Sequence, residues 1–266
     1  MVERQKNGRC HHIGIIGGTR GMGEWFARFF EKEGYGVHVS GRKTGMNVKD
    51  MAERCDVVVV SVPMGATTAV IEEIGPHMRK DALLMDLTSL KRDPVSAMLT
   101  SSVSDVIGCH PLFGPQTGSM EGQHVVLCPA RGDRWISWLR TILSKHGAHV
   151  VETTPDHHDR MMAIVQGLNH FNTVAMGIAL SQSGATLSEL SLFSTPAFKA
   201  KLKIIEKVFC RNPGLYAEII TMNPDIGPFI EMYARIIAEM KNFIHKQDGE
   251  GMTDLIEKRA DYFKSA

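Results

Sequence analysis

A histidine in a turn-rich segment is the residue of this sequence best suited to acid–base chemistry. Residues 108–119 read GCHPLFGPQTGS and place His110 at the end of a predicted strand. Upstream, residues 17–23 read GGTRGMG, a glycine-rich loop that follows one predicted strand and precedes a predicted helix. Because the ordinary pKa of histidine lies near neutrality, His110 is suited to accept a hydroxyl proton as a hydride leaves the same carbon. The two segments together indicate a dehydrogenase.

The glycine-rich loop has the context that a dinucleotide-binding site requires. Glycines let backbone N–H groups approach a pyrophosphate, and the N-terminus of the following helix favours negative charge. The alternative, a plain tight turn, loses weight because a strand and a helix flank the loop. The usual G-x-G-x-x-G is changed, because an arginine occupies the place of the second glycine. We expect the cofactor to contact Gly17, Gly18, Thr19, Arg20, Gly21, Met22 and Gly23.

The end of the second predicted strand indicates which dinucleotide binds. Folds that select NAD usually place a carboxylate there for the ribose 2′-hydroxyl. This chain instead reads SGRK over residues 40–43, so that Arg42 and Lys43 are available to a 2′-phosphate. We therefore expect NADP in preference to NAD. The alternative is that the two basic residues form a solvated turn.

Polar residues follow three of the predicted strands, at the edge of the sheet where ligands bind. Ser61 ends the third strand, Lys91 follows the fourth within a short loop, and His110 ends the fifth. We predict His110 as the base. Ser61 is equally well explained as a strand cap or as a catalytic residue. Lys91 is either a surface lysine or a site residue.

A long uncharged helix is predicted to form a second wall of the site. Residues 161–188 contain no Asp, Glu, Lys or Arg, which indicates burial on most sides. A subunit interface is one place where such a helix is buried. Asp159, Gln166, His170 and Thr173 are spaced so that they share one helix face. This polar stripe needs partners. Either it makes hydrogen bonds between helices, or His170 reaches the substrate.

The order of elements predicts an α/β fold, a Rossmann-like, doubly wound, mostly parallel sheet, followed by an all-helical domain. Residues 56–63 form a β-branched run of the kind found in parallel sheets covered on both faces. We place the dinucleotide-binding domain at 1–154 and the helical substrate and dimerisation domain at 155–266. Strands are predicted at 13–16, 36–40, 56–63, 82–86, 106–109, 125–128 and 149–152, and helices at 24–33, 135–146, from an N-cap at Asp156 through 177 or beyond, 195–211, 214–222, about 229–244 and 252–263.

Composition excludes several other classes of protein. The chain has 266 residues, 43% hydrophobic and 22% charged, as in ordinary globular proteins. A net charge of +1 gives no field for nucleic acid or an anionic membrane. The five cysteines are an odd number without a C-x-x-C pair, which argues against a disulfide framework or a zinc site and for a reducing compartment. We expect a cytoplasmic protein that holds no metal.

Several motifs in order resemble one known family. They are GGT at 17–19, VSVP at 60–63, DLTSLK at 86–91, HPLFGP at 110–115, His158-Asp159 with Gln166 and His170, and NPGLYA at 212–217. Together they are similar to the prephenate dehydrogenases of tyrosine biosynthesis, over nearly the whole chain from about Ile13 to Phe263. The HPLFGP segment is the most specific of the motifs.

The resemblance implies oxidative decarboxylation of prephenate to 4-hydroxyphenylpyruvate. In this family a hydride leaves the carbon that bears the ring hydroxyl, and carbon dioxide leaves as the ring becomes aromatic. The resemblance gives His110 the hydroxyl proton or hydrogen bond and Ser61 the task of orienting it. It makes His170 a substrate-lining histidine and Lys91 a loop lysine of less certain role.

One departure from the family concerns the substrate carboxylate. The family binds it with an arginine where this chain has Lys207, which keeps the charge but loses the bidentate fork. Arg211, one turn later, is an alternative ligand.

Three other functions stay open at this point. They are arogenate dehydrogenase, another NADP oxidoreductase such as a deazaflavin-linked one, and a non-catalytic NADP sensor. We expect a homodimer formed by the helical domain, because an uncharged helix of this length is hard to bury in about 110 residues.

Overall fold

A single eight-stranded sheet forms the first part of the protein. The computed structural model describes residues 11–41 and 44–264, and within them the strands follow the order β3-β2-β1-β4-β5-β6-β7-β8. Neighbouring strands are parallel except for the pairs β2–β3 and β6–β7. The strands are β1 His12–Ile16, β2 Gly36–Gly41, β3 Thr44–Gly45, β4 Val57–Val60, β5 Leu83–Asp86, β6 Asp105–Pro111, β7 His124–Arg131 and β8 His149–Glu152.

Helices cover both faces of this sheet. The four residues of β4 are fully buried, and alternate side chains enter the apolar clusters on opposite faces. One cluster includes Phe26 and Trp135 from two of the helices, and the other includes Met51 and Ile71. This burial on both faces explains the uninterrupted run of valines. The helices are α1 Gly21–Lys32, α2 Val48–Arg54, α3 Met64–Ile74, α4 Arg92–Ser101 and α5 Arg134–Lys145.

The order of the strands creates a crevice at the carboxyl ends of β1 and β4. From β1 the chain moves outward to β2 on one side, and it later returns to β4 on the other. Such a switch point is where open α/β sheets bind ligands. Backbone bonds tie the adjoining loops together, since Gly17 donates to the carbonyl of Ser40 (2.8 Å) and Ser61 to that of Ile16 (2.8 Å).

The second part of the chain is helical throughout the described residues. Its first helix is continuous from Pro155 to Ser181 but contains six π-helical residues in the middle. The elements are α6 Pro155–Met162, the π segment Ala163–Leu168, α7 Asn169–Ser181, α8 Leu187–Leu192, α9 Pro196–Cys210, α10 Pro213–Met222, α11 Gly227–Lys246, α12 Gly249–Glu257 and α13 Ala260–Phe263.

The predicted fold class is confirmed, and several local predictions are wrong. Thr154, rather than Asp156, caps α6 by accepting the backbone N–H of His157 (3.3 Å). The cause is Pro155, whose fixed φ and missing N–H suit the first helical position and so set the cap at Thr154, two residues earlier than predicted. The π segment, β3 and α8 were not predicted. The predicted helix at 252–263 is divided, because the chain turns where Arg259 donates to the carbonyl of Ile256 three residues back.

The uncharged stretch at 161–188 is less buried within one chain than its composition predicts. Val165 is 56% exposed and Ile178 is 45% exposed. The expectation of burial on most sides is therefore wrong for the single chain. Among the described residues, no helix combines the length and apolarity needed to cross a bilayer.

Candidate active site

The glycine-rich loop forms a close-fitting cradle at the crevice. Gly17 has a φ of +83°, and a Cβ there would overlap the carbonyl of Ser61. A Cβ on Gly23 would lie 2.5 Å from the carbonyl oxygen of Gly17. Only glycine therefore lets the loop pack between β4 and the first turn of α1. The first turn itself is open, because nothing lies within 4 Å of the Cβ position of Gly21.

The rest of the loop is compatible with a dinucleotide. Thr19 lies against the end of β2, where a Cβ on Gly41 would come within 2.9 Å of its side chain. Arg20 is exposed with extended backbone just before α1, while Met22 packs against the apolar core. The free N–H groups at the start of α1 suit a pyrophosphate. The predicted contacts Arg42 and Lys43 lie outside the described residues.

A chain of three buried polar side chains runs from the sheet into the helical part. His110, near the end of β6, has its Nδ1 2.9 Å from Nε2 of His158 on α6. His158 in turn has its Nδ1 2.7 Å from Oδ1 of Asp159. None of the three side chains has appreciable contact with solvent.

Asp159 is held in place by the backbone of the sheet domain. Its two carboxylate oxygens accept the N–H groups of Lys91 (2.8 Å) and Arg92 (2.9 Å) at the start of α4. Its carbonyl accepts the side chain of Asn223 (2.8 Å). Burial alone would raise the pKa of Asp159, but the hydrogen bonds from His158, Arg92 and Lys91 outweigh burial and lower it. Asp159 is therefore an anion at neutral pH.

The other side of His110 faces Gln166 in the π segment. Nε2 of Gln166 lies 3.3 Å from Nε2 of His110, and Oε1 of Gln166 is buried without a hydrogen-bond partner among the described residues. Burial, followed by the charge of Lys91, holds the pKa of His110 well below its ordinary value. His110 is therefore neutral at physiological pH, which is the form that can accept a proton.

Lys91 lies beneath this site instead of facing open space. Its side chain is fully buried, ion-paired with Asp86, and donates to the carbonyl of Cys109 on β6 (3.0 Å). Asp86 also accepts the backbone N–H of Thr88 (2.9 Å). The contact with Cys109 ties Lys91 to the residue before His110.

The polar stripe of the long helix also includes a second histidine, His170, which lies beside the cations of Lys207 and Arg211. The His170 ring is 4.8 Å from that of Tyr216, and within residues 11–41 and 44–264 its buried Nδ1 has no hydrogen-bond partner. Burial and the charge of Lys207 lower the pKa of His170. Burial raises the pKa of Tyr216, and the charge of Arg211 partly opposes that rise. Across the described part of the chain, no carboxylate forms an ion pair with Lys207 or Arg211, both of which are exposed.

The structure brings some predicted residues together more closely than others. Ser61 lies at the crevice, but across residues 11–41 and 44–264 its hydroxyl makes no hydrogen bond with His110. His158 holds that contact, although the sequence analysis named it only as part of a motif. A usable signal was present, since a His-Asp pair comes just before the uncharged stretch at 161–188.

The doubly wound sheet, the glycine cradle and the histidine at the carboxyl edge define a Rossmann-type protein with a separate helical part. A family described as "Prephenate dehydrogenase, nucleotide-binding domain" matches residues 27–152. A second, described as "Prephenate dehydrogenase, dimerization domain", matches residues 154–258. The chain therefore belongs to the prephenate dehydrogenase family, a family of oxidoreductases, as its motifs predict.

Individual relatives agree with this assignment. The probable arogenate/prephenate dehydrogenase of Methanocaldococcus jannaschii is 36% identical over 95% of this chain and 61% of its own length. The T-protein of Haemophilus influenzae is 34% identical, covering 97% of this chain and 68% of that protein. The chain thus spans less than two thirds of the Methanocaldococcus relative.

Two solved structures show the same fold. Arogenate dehydrogenase from Synechocystis superposes with a TM-score of 0.71 at 19% identity, covering 96% of this chain and all of that one. Prephenate dehydrogenase from Aquifex aeolicus, solved with hydroxyphenyl propionate and NAD+, gives 0.71 at 19% identity, covering 97% and 99%.

The buried ion pair beneath the site predicts a large effect on stability. Lys91→Met leaves Asp86 as a buried charge without its partner, so we expect a loss of about 3–5 kcal/mol in the free energy of unfolding. Adding Asp86→Asn should recover part of that loss, because no uncompensated charge remains. Urea unfolding measures both. Arg28→Met, which breaks an exposed pair with Glu24 on α1, is the control and should cost less than about 1 kcal/mol. Equal losses in the two single variants would contradict the account.

Proposed function

We propose that the protein catalyses oxidative decarboxylation of prephenate to 4-hydroxyphenylpyruvate with a nicotinamide dinucleotide. The observation that carries the proposal is His110, a buried and neutral histidine. It lies at the same carboxyl edge of the sheet as the glycine cradle. Membership of the family supports the same reaction class.

The chemistry asked of His110 is the movement of one proton. Its neutral ring accepts the proton of the ring hydroxyl as the carbon beneath it is oxidised to a ketone. Loss of carbon dioxide then sends an electron pair to that oxygen, which takes the proton back and leaves a phenol. Aromatisation favours this second stage, so the protein mainly aligns the substrate and polarises its hydroxyl.

The cofactor is proposed to lie in the glycine cradle. The residues present fit a dinucleotide, because Gly17 and Gly23 bring backbone close to the ligand space and the start of α1 offers free N–H groups. When bound, the nicotinamide accepts the hydride. We propose NADP in preference to NAD because Arg42 and Lys43 occupy positions where a carboxylate would select NAD.

The substrate is proposed to extend from His110 to the two unpaired cations. Gln166 and His170 lie one turn apart and leave buried polar atoms unsatisfied, which a polar ligand would satisfy. Lys207 and Arg211 then meet its carboxylates. Lys91 is proposed to support β6 from beneath, since its charge is already neutralised by Asp86.

Turnover tests the reaction directly. We expect prephenate to produce reduced cofactor, carbon dioxide and 4-hydroxyphenylpyruvate in equal amounts, faster with NADP+ than with NAD+ at subsaturating cofactor. His110→Gln should lower kcat by about 10²–10⁴-fold, the usual contribution of a general base. His124→Gln, at an exposed histidine of β7, is the matched control.

Two results would contradict the proposal. One is turnover by His110→Gln equal to that of the His124→Gln control. The other is reduced cofactor from arogenate alone, which would make arogenate the substrate.

The free cation beside His170 predicts a defect in substrate affinity. Lys207→Met removes a charge-assisted hydrogen bond to a carboxylate, so the KM for prephenate should rise about tenfold or more while kcat changes little. Lys203→Met, exposed one turn earlier on α9, is the control and should leave the KM unchanged. Steady-state kinetics would contradict this role if the two variants gave the same KM.

We propose that the helical part forms a homodimer. Besides Val165 and Ile178, it exposes Leu187 (70%), Leu192 (80%) and Phe193 (88%), more apolar surface than a monomer normally leaves uncovered. The description of the matching family as a dimerization domain supports the same arrangement.

Sedimentation velocity at micromolar concentration tests this assembly. We expect a mass about twice the 29.4 kDa of the chain, because burial of the apolar side chains favours association. A species of 29.4 kDa under the same conditions would contradict the dimer.

A further inference from the structure

We infer that His158 and Asp159 are positioning residues that fix His110 in the tautomer with a proton on Nδ1 and a free lone pair on Nε2. The inference deepens the proposed function, on which its kinetic test rests. It assigns to His158 the orienting task that the family resemblance gives to Ser61.

The first end is Asp159. Both of its oxygens already accept backbone N–H groups, at Lys91 and Arg92, and an ionised carboxylate has only acceptors to offer. Nδ1 of His158, 2.7 Å away, must therefore be the donor. The start of α4 also favours the negative charge, so this end of the chain is fixed.

The donor-to-acceptor direction of the hydrogen bonds then continues through His158. The inference requires His158 to be a neutral imidazole, which with its proton on Nδ1 has an acceptor at Nε2. The atom facing that acceptor, 2.9 Å away, is Nδ1 of His110, which must donate. The second nitrogen of His110 is thereby left without a proton.

The second end is Gln166, and its contact agrees with this direction. Its amide nitrogen, a donor, lies 3.3 Å from Nε2 of His110. The opposite tautomer of His110 would set two donors against each other here and two lone pairs against each other at His158. Two such unfavourable contacts at buried positions keep the opposite tautomer a minor species.

The arrangement depends on contact between the two parts of the chain. His110 belongs to the sheet, whereas His158, Asp159 and Gln166 all belong to the long helix. The lone pair of His110 is therefore available to the substrate hydroxyl only when α6 is docked on α4. A substrate hydroxyl would take the place of the Gln166 amide as donor to Nε2.

Nitrogen NMR of the whole protein with 15N-labelled histidine tests the tautomer without any substrate. We expect His110 to show a protonated Nδ1 and an unprotonated Nε2, with His158 protonated at Nδ1 alone. A His110 protonated at Nε2, or a His158 protonated at both nitrogens, would overturn the inference.

Variants of His158 test its effect on the reaction. His158→Phe keeps a ring but removes the acceptor, so kcat should fall about 100-fold, within the range of a lost general base, while KM changes by less than about threefold. His158→Gln restores an acceptor near Nε2 and should recover about tenfold of that loss. His157→Phe, exposed at the adjacent position, is the matched control and should behave as the unsubstituted protein.

The outcomes separate this inference from the proposed function. If the protein oxidises neither prephenate nor arogenate, the proposed function fails, and the NMR tautomer still decides the inference. If it turns over prephenate and His158→Phe matches the control, or His158→Gln recovers nothing over His158→Phe, the positioning role is wrong. If the phenylalanine variant does not fold, the NMR tautomer of the unsubstituted protein and the kinetics of His158→Gln decide the inference.

Discussion

A single buried carboxylate connects the two parts of this protein to its chemistry. Asp159 enters the sheet domain from the helical part and accepts two backbone N–H groups at the start of α4. Those hydrogen bonds are charge-assisted and stand in for the water that burial removes. The same carboxylate holds His158, and through it His110, so that domain contact and active-site geometry depend on one group.

The environment of His110 follows from that constraint and from the cation beneath it. Burial in a low-dielectric interior disfavours a charged ring, and the nearby charge of Lys91 disfavours it further, which lowers the pKa of His110. Asp86 balances the charge of Lys91 and accepts hydrogen bonds from the loop after β5. The result is a base kept neutral by its surroundings, at the same carboxyl edge of the sheet as the glycine cradle.

The sequence was sufficient for the features set by local pattern. The valines of β4 predicted a sheet covered on both faces. The alternation of predicted strands and helices placed the glycine loop and His110 at strand ends. It was insufficient where a contact joins distant segments. Lys91 is buried because Asp86 and a carbonyl of β6 surround it, and the link from His110 to His158 spans 48 positions that no spacing rule connects. The π segment was also not predicted, because its wider turn departs from the 3.6-residue period on which helix prediction rests.

A crystal structure of the protein with oxidised dinucleotide and 4-hydroxyphenylpyruvate would test the central claim most directly. The account predicts the phenol oxygen within hydrogen-bonding distance of Nε2 of His110, where the amide of Gln166 now donates, with the His110–His158–Asp159 chain unchanged. A phenol oxygen bound away from His110, with that chain intact, would contradict it.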